Sequence, residues 1–323
     1  MADGITWGYA LNQWNVRLNV FVRREHHERA MKTLSALGFR TIELEAGSGR
    51  WDNLGRPELI ERGHGSFAGF RAFLSSCGID RVSSMFWDPG RPGEEEGWAF
   101  RLTTDPADHD AIVAAAQPFI DFLPQLGGSV LVARPTPSAW MTGPLGADGI
   151  GVVAALWNRL GARAREGGVR LALHLDCLGA IHTREDIEAL LAATDPELVG
   201  LAIDTAELTI AGIDPAELYR AHPDRVRHVH LKDTRFADTG EEHLQPGAET
   251  AMLHGGDGRR IERWFFELGV EGGLVDVPGF VAALRDGGYR GAVIVESDHG
   301  PNPADLAMIN SWYLQRRLGV VLR

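Results

Sequence analysis

Residues 169–233 read VRLALHLDCLGAIHTREDIEALLAATDPELVGLAIDTAELTIAGIDPAELYRAHPDRVRHVHLKD. Three short apolar runs stand in this stretch, at 169–175, 198–204 and 226–232. Each has the aliphatic, partly β-branched make-up that fits a pleated surface. Between them lie helical patterns at 184–193, opened by the capping residue Thr183, and at 215–221. Strand, helix, strand in succession indicates parallel βαβ units, because parallel neighbours need a crossover connection. The same alternation continues outward. Strands are predicted at 5–11, 40–45, 80–86 and 129–133 before the stretch, and at 292–296 after it. Helices are predicted at 24–37, 67–77, 152–166, 277–286 and about 303–318, and at 108–126 with kinks at Pro118 and Pro124. Eight repeats predict a closed (β/α)8 TIM barrel, with residues 1–323 as one domain. A doubly wound open sheet would carry a Gly-rich phosphate turn after its first strand, and YALNQWN at 9–15 has none.

Four long segments follow strand ends: 46–65, 87–107, 134–149 and 234–276. In such barrels the loops at the C-terminal ends of the strands carry the active site. The last is too long for an empty loop and is expected to be an inserted lid or partner-binding segment, with a short helix near 259–268.

The chain has 323 residues, 44% hydrophobic and 24% charged, with a net charge of −12. That balance suits a globular protein and argues against nucleic acid or an anionic membrane as partner. Two cysteines, Cys77 and Cys177, are no disulfide framework. The start, MADGITWGYALNQWN, lacks a basic stretch followed by an apolar run, and no apolar run reaches the ~18 residues of a membrane span. A cytoplasmic location is the expectation.

Possible metal ligands gather at four successive strand ends. They are His174 and Asp176, then Asp204, then His228, His230, Lys232 and Asp233, then Glu296, Asp298 and His299. Period-two alternation puts His228, His230 and Lys232 on one face of their strand and Val229 and Leu231 on the other. Charged groups turned into a barrel are costly unless paired or bound. Imidazole with carboxylate suits Mn²⁺, Zn²⁺, Fe²⁺ or Co²⁺. Each residue alone has a duller reading: Asp204 as a turn cap, Glu296 as an ion-pair partner, His174 or His230 as a core histidine. Their joint occurrence favours a metal. Weaker candidates are Glu43 and Glu45, both on one face of the second strand, as substrate ligands or a base. His182 is a possible proton carrier, Lys232 a group polarising a substrate oxygen, and Arg134 a partner for an anion. Trp51, Trp87 and Trp140 have faces suited to sugars. Cys177 has histidines nearby, but no GxSxG, Walker or zinc-finger pattern exists.

The segments DTAE (204–207), HVHLKD (228–233) and GLVDVPGFVAALRDGGYRGAVIVESDH (273–299) resemble the xylose-isomerase-like barrel superfamily of sugar isomerases and epimerases. That group includes ketose 3-epimerases, inosose isomerases, inosose dehydratases and the catalytic subunits of 3-oxo C-glycoside deglycosidases. DNA repair endonucleases share the barrel, but they need more ligands and a basic face. The resemblance covers most of the chain and implies one divalent metal, Mn preferred with Zn, Co, Fe or Mg as alternatives. It implies ligands Glu, Asp, His and Glu from the fifth to eighth strands. Asp204, His230 and Glu296 match in type. The fifth-strand glutamate falls on His174, with Asp176 two residues on, and Glu207 stands where the family often has histidine.

The resemblance implies proton abstraction next to a ketone of a sugar, cyclitol or glycoside. Glu296, His174 or His182 would move the proton. Isomerisation or epimerisation is the leading expectation. Elimination by a lyase of the same superfamily is the alternative, which the missing glutamate and the long insert favour. A non-catalytic sugar-binding barrel is a third reading. A homo-oligomer, with a small partner subunit as an option, is expected from the class.

Overall fold

A computed structural model of the chain describes residues 4–14, 23–46, 52–90, 101–253, 263–298, 300 and 302–322. Trp51, His299 and residues 254–262 lie outside the described residues. Eight parallel strands close in sequence order into a barrel. They are β1 (Thr6–Ala10), β2 (Thr41–Ala46), β3 (Arg81–Trp87), β4 (Val130–Ala133), β5 (Arg170–His174), β6 (Val199–Asp204), β7 (Val226–Leu231) and β8 (Ala292–Val295). The expected topology holds, with each strand within two residues of its predicted bounds.

Helices cover the outside. Val229 and Leu231 of β7 join the main hydrophobic core, as period two requires, while His228 and His230 turn inward and are buried. Inside, β3 to β6 contribute a small apolar cluster of Val130, Val132, Ala172 and Ala202, with Phe86 against it. Across from it the lumen is polar, filled by Glu43, His228 and His230. Two register shifts adjoin this polar side, at Ile42/Glu43 and at Leu201/Ala202. Such bulges re-aim side chains at barrel rims. The helix Gly146–Glu166 packs close through Gly161, where a Cβ would stand 2.7 Å from the Leu198 carbonyl oxygen.

Several expectations need correction. The helix expected at 152–166 begins at Gly146. The one expected at 108–126 is His109–Phe122 flanked by 3-10 turns, with Pro118 inside it and Pro124 in the second turn. Short helices Pro57–His64, Thr205–Ile210 and Ala248–Leu253 were not expected. Of the helix expected at 259–268, the described part is not helical. Phe266 instead pairs with Asp233 as an antiparallel bridge. Its aromatic run packs: Trp264 and Phe265 join Cys177, Leu178, Ala206, Ile210, Ala248 and Met252 in a second core over the barrel mouth. No helix among the described residues is long and apolar enough to cross a membrane.

Candidate active site

The site is built on strand ends. Asp204 is the last residue of β6 and also the N-cap of the helix Thr205–Ile210. Its Oδ1 accepts the backbone N–H groups of Ala206 and Glu207, both at 3.0 Å. That fixes the carboxylate and leaves Oδ2 for the lumen. There it meets His174 Nε2 at 3.2 Å and Lys232 Nζ at 2.9 Å. Asp204 is thus a turn cap whose second oxygen faces the lumen.

His230 stands beside Asp204 in the β6–β7 register. Its Nε2 lies 2.7 Å from Glu43 Oε1, and its Nδ1 lies 3.4 Å from Glu296 Oε1 and 3.7 Å from Asp204 Oδ2. His228, one layer deeper, meets the other Glu43 oxygen at 2.8 Å. Glu43 thus clamps both histidines from across the barrel. Burial opposes its charge, yet the two histidines hold its pKa well below the ordinary carboxylate range. His230 is also held above its usual value: burial works against the charge, and Glu296 and Glu43 outweigh it. Burial lowers His174 and His228.

Lys232 is almost fully buried, its ammonium 2.7 Å from Glu296 Oε1, 2.7 Å from Asp298 Oδ2 and 4.0 Å from the Phe265 ring centroid. Thr205 pins its backbone, accepting from its N–H at 3.0 Å and donating to its carbonyl at 2.6 Å. Asn12, in the loop after β1, donates to Glu296 Oε2 at 2.7 Å and to Asp298. Burial and the neighbouring Asp298 push Glu296 up to about 8.

The donor set can be tested against a divalent metal. One ligand atom each of His174, Asp204 and His230 lie within 4.8 Å of one another, all buried. His174 Nδ1 is buried with no hydrogen-bond partner. Three buried carboxylates, Asp204, Glu296 and Asp298, surround one buried lysine, and a fourth, Glu43, faces His228 and His230. Buried negative charge in excess favours a further cation. The residues fit a metal of the Mn, Zn, Fe or Co class. The imidazole pair suits Mg²⁺ poorly.

The other expected residues fall elsewhere. Asp176 turns from His174 to Arg134, its Oδ2 2.9 Å from the guanidinium Nε. Arg134 is buried and already holds Asp88 at 3.3 Å and Glu249 at 3.0 Å, so it is a structural hub rather than an anion receptor. Trp87 packs on Phe119 and is buried, with no face toward the lumen. Trp140 is exposed and Glu45 half-buried. Asp233 turns to the insertion, where its carboxylate accepts the N–H groups of Thr234, Gly269 and Val275. At Gly273 a Cβ would lie 2.4 Å from that carboxylate, so only glycine fits. His182 stands off the cluster, stacked on His243.

Sequence reasoning missed three contributors. Asn12 gave no pattern signal beyond its place after β1. Phe265 lay in the insertion. Glu207 was read only as a departure, yet it accepts the Cys177 N–H at 2.9 Å and lies 3.9 Å from Lys232. Burial and the neighbouring Asp176 push its carboxyl above the usual carboxylate range.

The family model described as "Xylose isomerase-like TIM barrel" matches residues 31–313. The chain belongs to that family. Among curated proteins it is similar to the inosose dehydratase of Lacticaseibacillus casei, 31% identical over 174 residues, covering 50% of this chain and 53% of that protein. The inosose dehydratase of Geobacillus thermodenitrificans is also 31% identical, over 50% and 53%. The chain spans about half the length of these curated relatives in the match. Among solved structures it superposes on a probable 3-DHS dehydratase from Bacillus anthracis with a TM-score of 0.72 at 11% identity, covering 97% of this chain and 100% of that one. It also superposes on a D-allulose 3-epimerase from Methylomonas sp. in complex with D-allulose, with a TM-score of 0.66 at 20% identity over 97% of each chain. These two likenesses speak for the fold alone.

Proposed function

We propose that the chain is a divalent-metal-dependent lyase that removes water from a keto-cyclitol or keto-sugar by taking the proton next to the ketone. His174, Asp204 and His230 would hold the metal, with Mn²⁺ preferred. When bound, it supplies Lewis-acid polarisation of the substrate carbonyl. Lys232 adds a fixed positive charge beside the developing oxyanion. Glu43 orients His230, as a carboxylate behind a ligating histidine does. Glu296 takes the proton, and its pKa of about 8 suits a group that both accepts and returns one. The C–H electron pair becomes the new C=C bond, the C–O bond breaks, and the proton on Glu296 leaves with the hydroxyl as water.

One observation carries elimination over epimerisation. Epimerisation needs proton-moving groups on both faces of one carbon. Here the fifth-strand position is His174, engaged by Asp204 at 3.2 Å, which leaves Glu296, itself held by Lys232 and Asn12, as the carboxyl assigned to proton transfer. The similarity to inosose dehydratases supports the same reading. Isomerisation or epimerisation shares the first step and is the second reading. The segment 234–276 would be the lid, since Phe265 covers Lys232 and Glu249 reaches Arg134.

The test is to incubate the Mn²⁺-loaded protein with inososes, ketoses and 3-oxo-glycosides in D₂O. An enone absorbance that grows with loss of water supports the lyase. Deuterium entering unreacted substrate, with an epimer and no enone, replaces it with the epimerase. No exchange with any of them, in protein holding its metal, removes proton abstraction on these classes.

A further inference from the structure

Besides the barrel cluster, a second group of ligating side chains lies where the loop after β5 meets the segment after β7. One ligand atom each of His182, Asp238 and His243 lie within 4.8 Å of one another, and all three residues are half-buried. The two imidazole rings stack, with centroids 3.8 Å and planes 8° apart.

Local structure fixes each member. His182 precedes Thr183, the N-cap of the helix Arg184–Ala193. Its ring hydrogen-bonds the Cys177 backbone carbonyl, while its Nδ1 is buried with no hydrogen-bond partner. A ring anchored through one nitrogen with the other left bare is how ligating histidines are held. Asp238 accepts the N–H groups of Glu242 at 2.7 Å and His243 at 3.0 Å, and His243 Nδ1 lies 2.7 Å from it. Glu241 is the one non-glycine residue with positive φ among the described residues, at 57°. That turn starts the 3-10 segment Glu242–Leu244, which brings His243 back onto Asp238.

The chemistry is that of a cation site. The set is two imidazole nitrogens and one carboxylate oxygen. Such a set suits Zn²⁺, Co²⁺ or Ni²⁺ and not Mg²⁺ or Ca²⁺. Rotation of the His243 ring about Cβ–Cγ would release the Asp238 oxygen as third ligand.

We propose that His182, Asp238 and His243 bind a transition-metal ion of the zinc class, which staples the segment after β7 to the loop after β5. The ligands differ from those of the barrel mouth, so the inference stands whether or not the proposed function does. Its consequence is positional. The stapled segment carries Phe265 over Lys232 and Glu249 to Arg134.

The test uses the full chain stripped by chelator. Asp204→Asn removes a ligand of the barrel cluster and leaves this group intact. Titrated with Co²⁺, that variant is expected to bind one equivalent with a visible d–d spectrum. Adding His243→Ala, or the isosteric Asp238→Asn, is expected to weaken this uptake at least about tenfold. Zn²⁺ is expected to slow proteolysis of the 234–276 segment in Asp204→Asn and not in either double variant. Circular dichroism matched to the parent shows that the variants fold, and the Asp238→Asn arm decides if His243→Ala does not. Equal Co²⁺ uptake and equal spectra with and without the second substitution would overturn the staple. So would equal protection by Zn²⁺. A barrel cluster that binds nothing lowers the wild-type stoichiometry from two to one and leaves these arms readable.

Discussion

Two groups in this molecule combine two histidines with one aspartate, and they are built in opposite ways. His174, Asp204 and His230 sit on or at the ends of strands, are buried, and are braced by Glu43, Lys232 and Glu296. His182, Asp238 and His243 sit on loops, are half-buried, and depend on a turn around Glu241. The difference teaches what burial adds. In the barrel mouth, low dielectric strengthens every charge and leaves none free to move. On the loops the same chemistry is screened, so a cation there can hold a segment without altering the charge at the reacting atoms. Substitutions in the first group should therefore act on turnover, with a cost in stability where they strand a buried charge. Those in the second should act on the segment alone.

The largest effect is expected at Asp204. Asp204→Asn keeps the cap on Ala206 and Glu207 but loses the charge that faces His174 and Lys232. Turnover should fall on the order of 10³-fold, with loss of bound Mn²⁺ by elemental mass spectrometry and little change in melting temperature. Unchanged turnover would make the barrel cluster structural and dissolve the contrast.

Lys232→Met comes next, read as stability. It leaves Asp204, Glu296 and Asp298 buried without their cation, at a cost of about 3–5 kcal/mol in urea unfolding. The pH dependence has a definite sign. Lys232 is raised when folded, so its contribution persists until pH rises past its folded value above 10.5. Asp204 is lowered, so its contribution is present above the unfolded carboxylate value and fades only in acid. These two groups leave the wild type flat between about pH 5 and 9, while Glu296, raised to about 8, lowers its stability as pH climbs from the unfolded carboxylate value to about 8. The variant should lose more at pH 8 than at pH 5.5, where its stranded carboxylates can take up protons. An equal loss at both would mean that the lysine acts by packing.

A smaller change is expected from Glu249→Gln. Glu249 binds Arg134 at 3.0 Å and accepts from Ser138. Losing one charged hydrogen bond costs roughly 2 kcal/mol. Because the helix Ala248–Leu253 packs on Cys177 and Leu178, the loss should appear as faster proteolysis of the segment before any fall in global stability.

The sequence carried the barrel because eight strand patterns repeat with a fixed alternation, and alternation alone decides which side chains face inward. His228, His230, Lys232, Asp204, Glu296 and Glu43 were legible for that reason. What was not legible depends on contacts that sequence spacing does not encode. Asp176, two residues after His174, shares its nominal face but lies past the strand end, where period two no longer applies and Arg134 captures it. Trp87 is the last residue of β3, and its indole goes to the helix side. Asn12 and Glu207 reach the site from beyond the strands, through the loop after β1 and a one-turn helix. The stacked pair of His182 and His243 joins residues 61 apart, which no local period reports.

Cys177 gives the smallest expected effect and the sharpest use of the comparison, because it touches both groups through its backbone. Its N–H donates to Glu207, beside Lys232, and its carbonyl receives the His182 ring. Its thiol belongs to the apolar patch with Leu178, Ala206 and Trp264. Burial, with Glu207 and Asp176 nearby, pushes the thiol pKa far above its usual value, so almost none is thiolate at neutral pH. A nucleophilic cysteine needs the opposite environment. Cys177→Ala should therefore cost roughly 1 kcal/mol of stability and leave turnover within about threefold, and thiol reagents should leave native Cys177 unmodified at pH 7.5. Rapid labelling with loss of turnover would restore the cysteine as a reacting group. A silent Cys177→Ala would mean that the link between the two groups is the peptide at 177 alone, so that a shift in one can reach the other only by moving the main chain after β5.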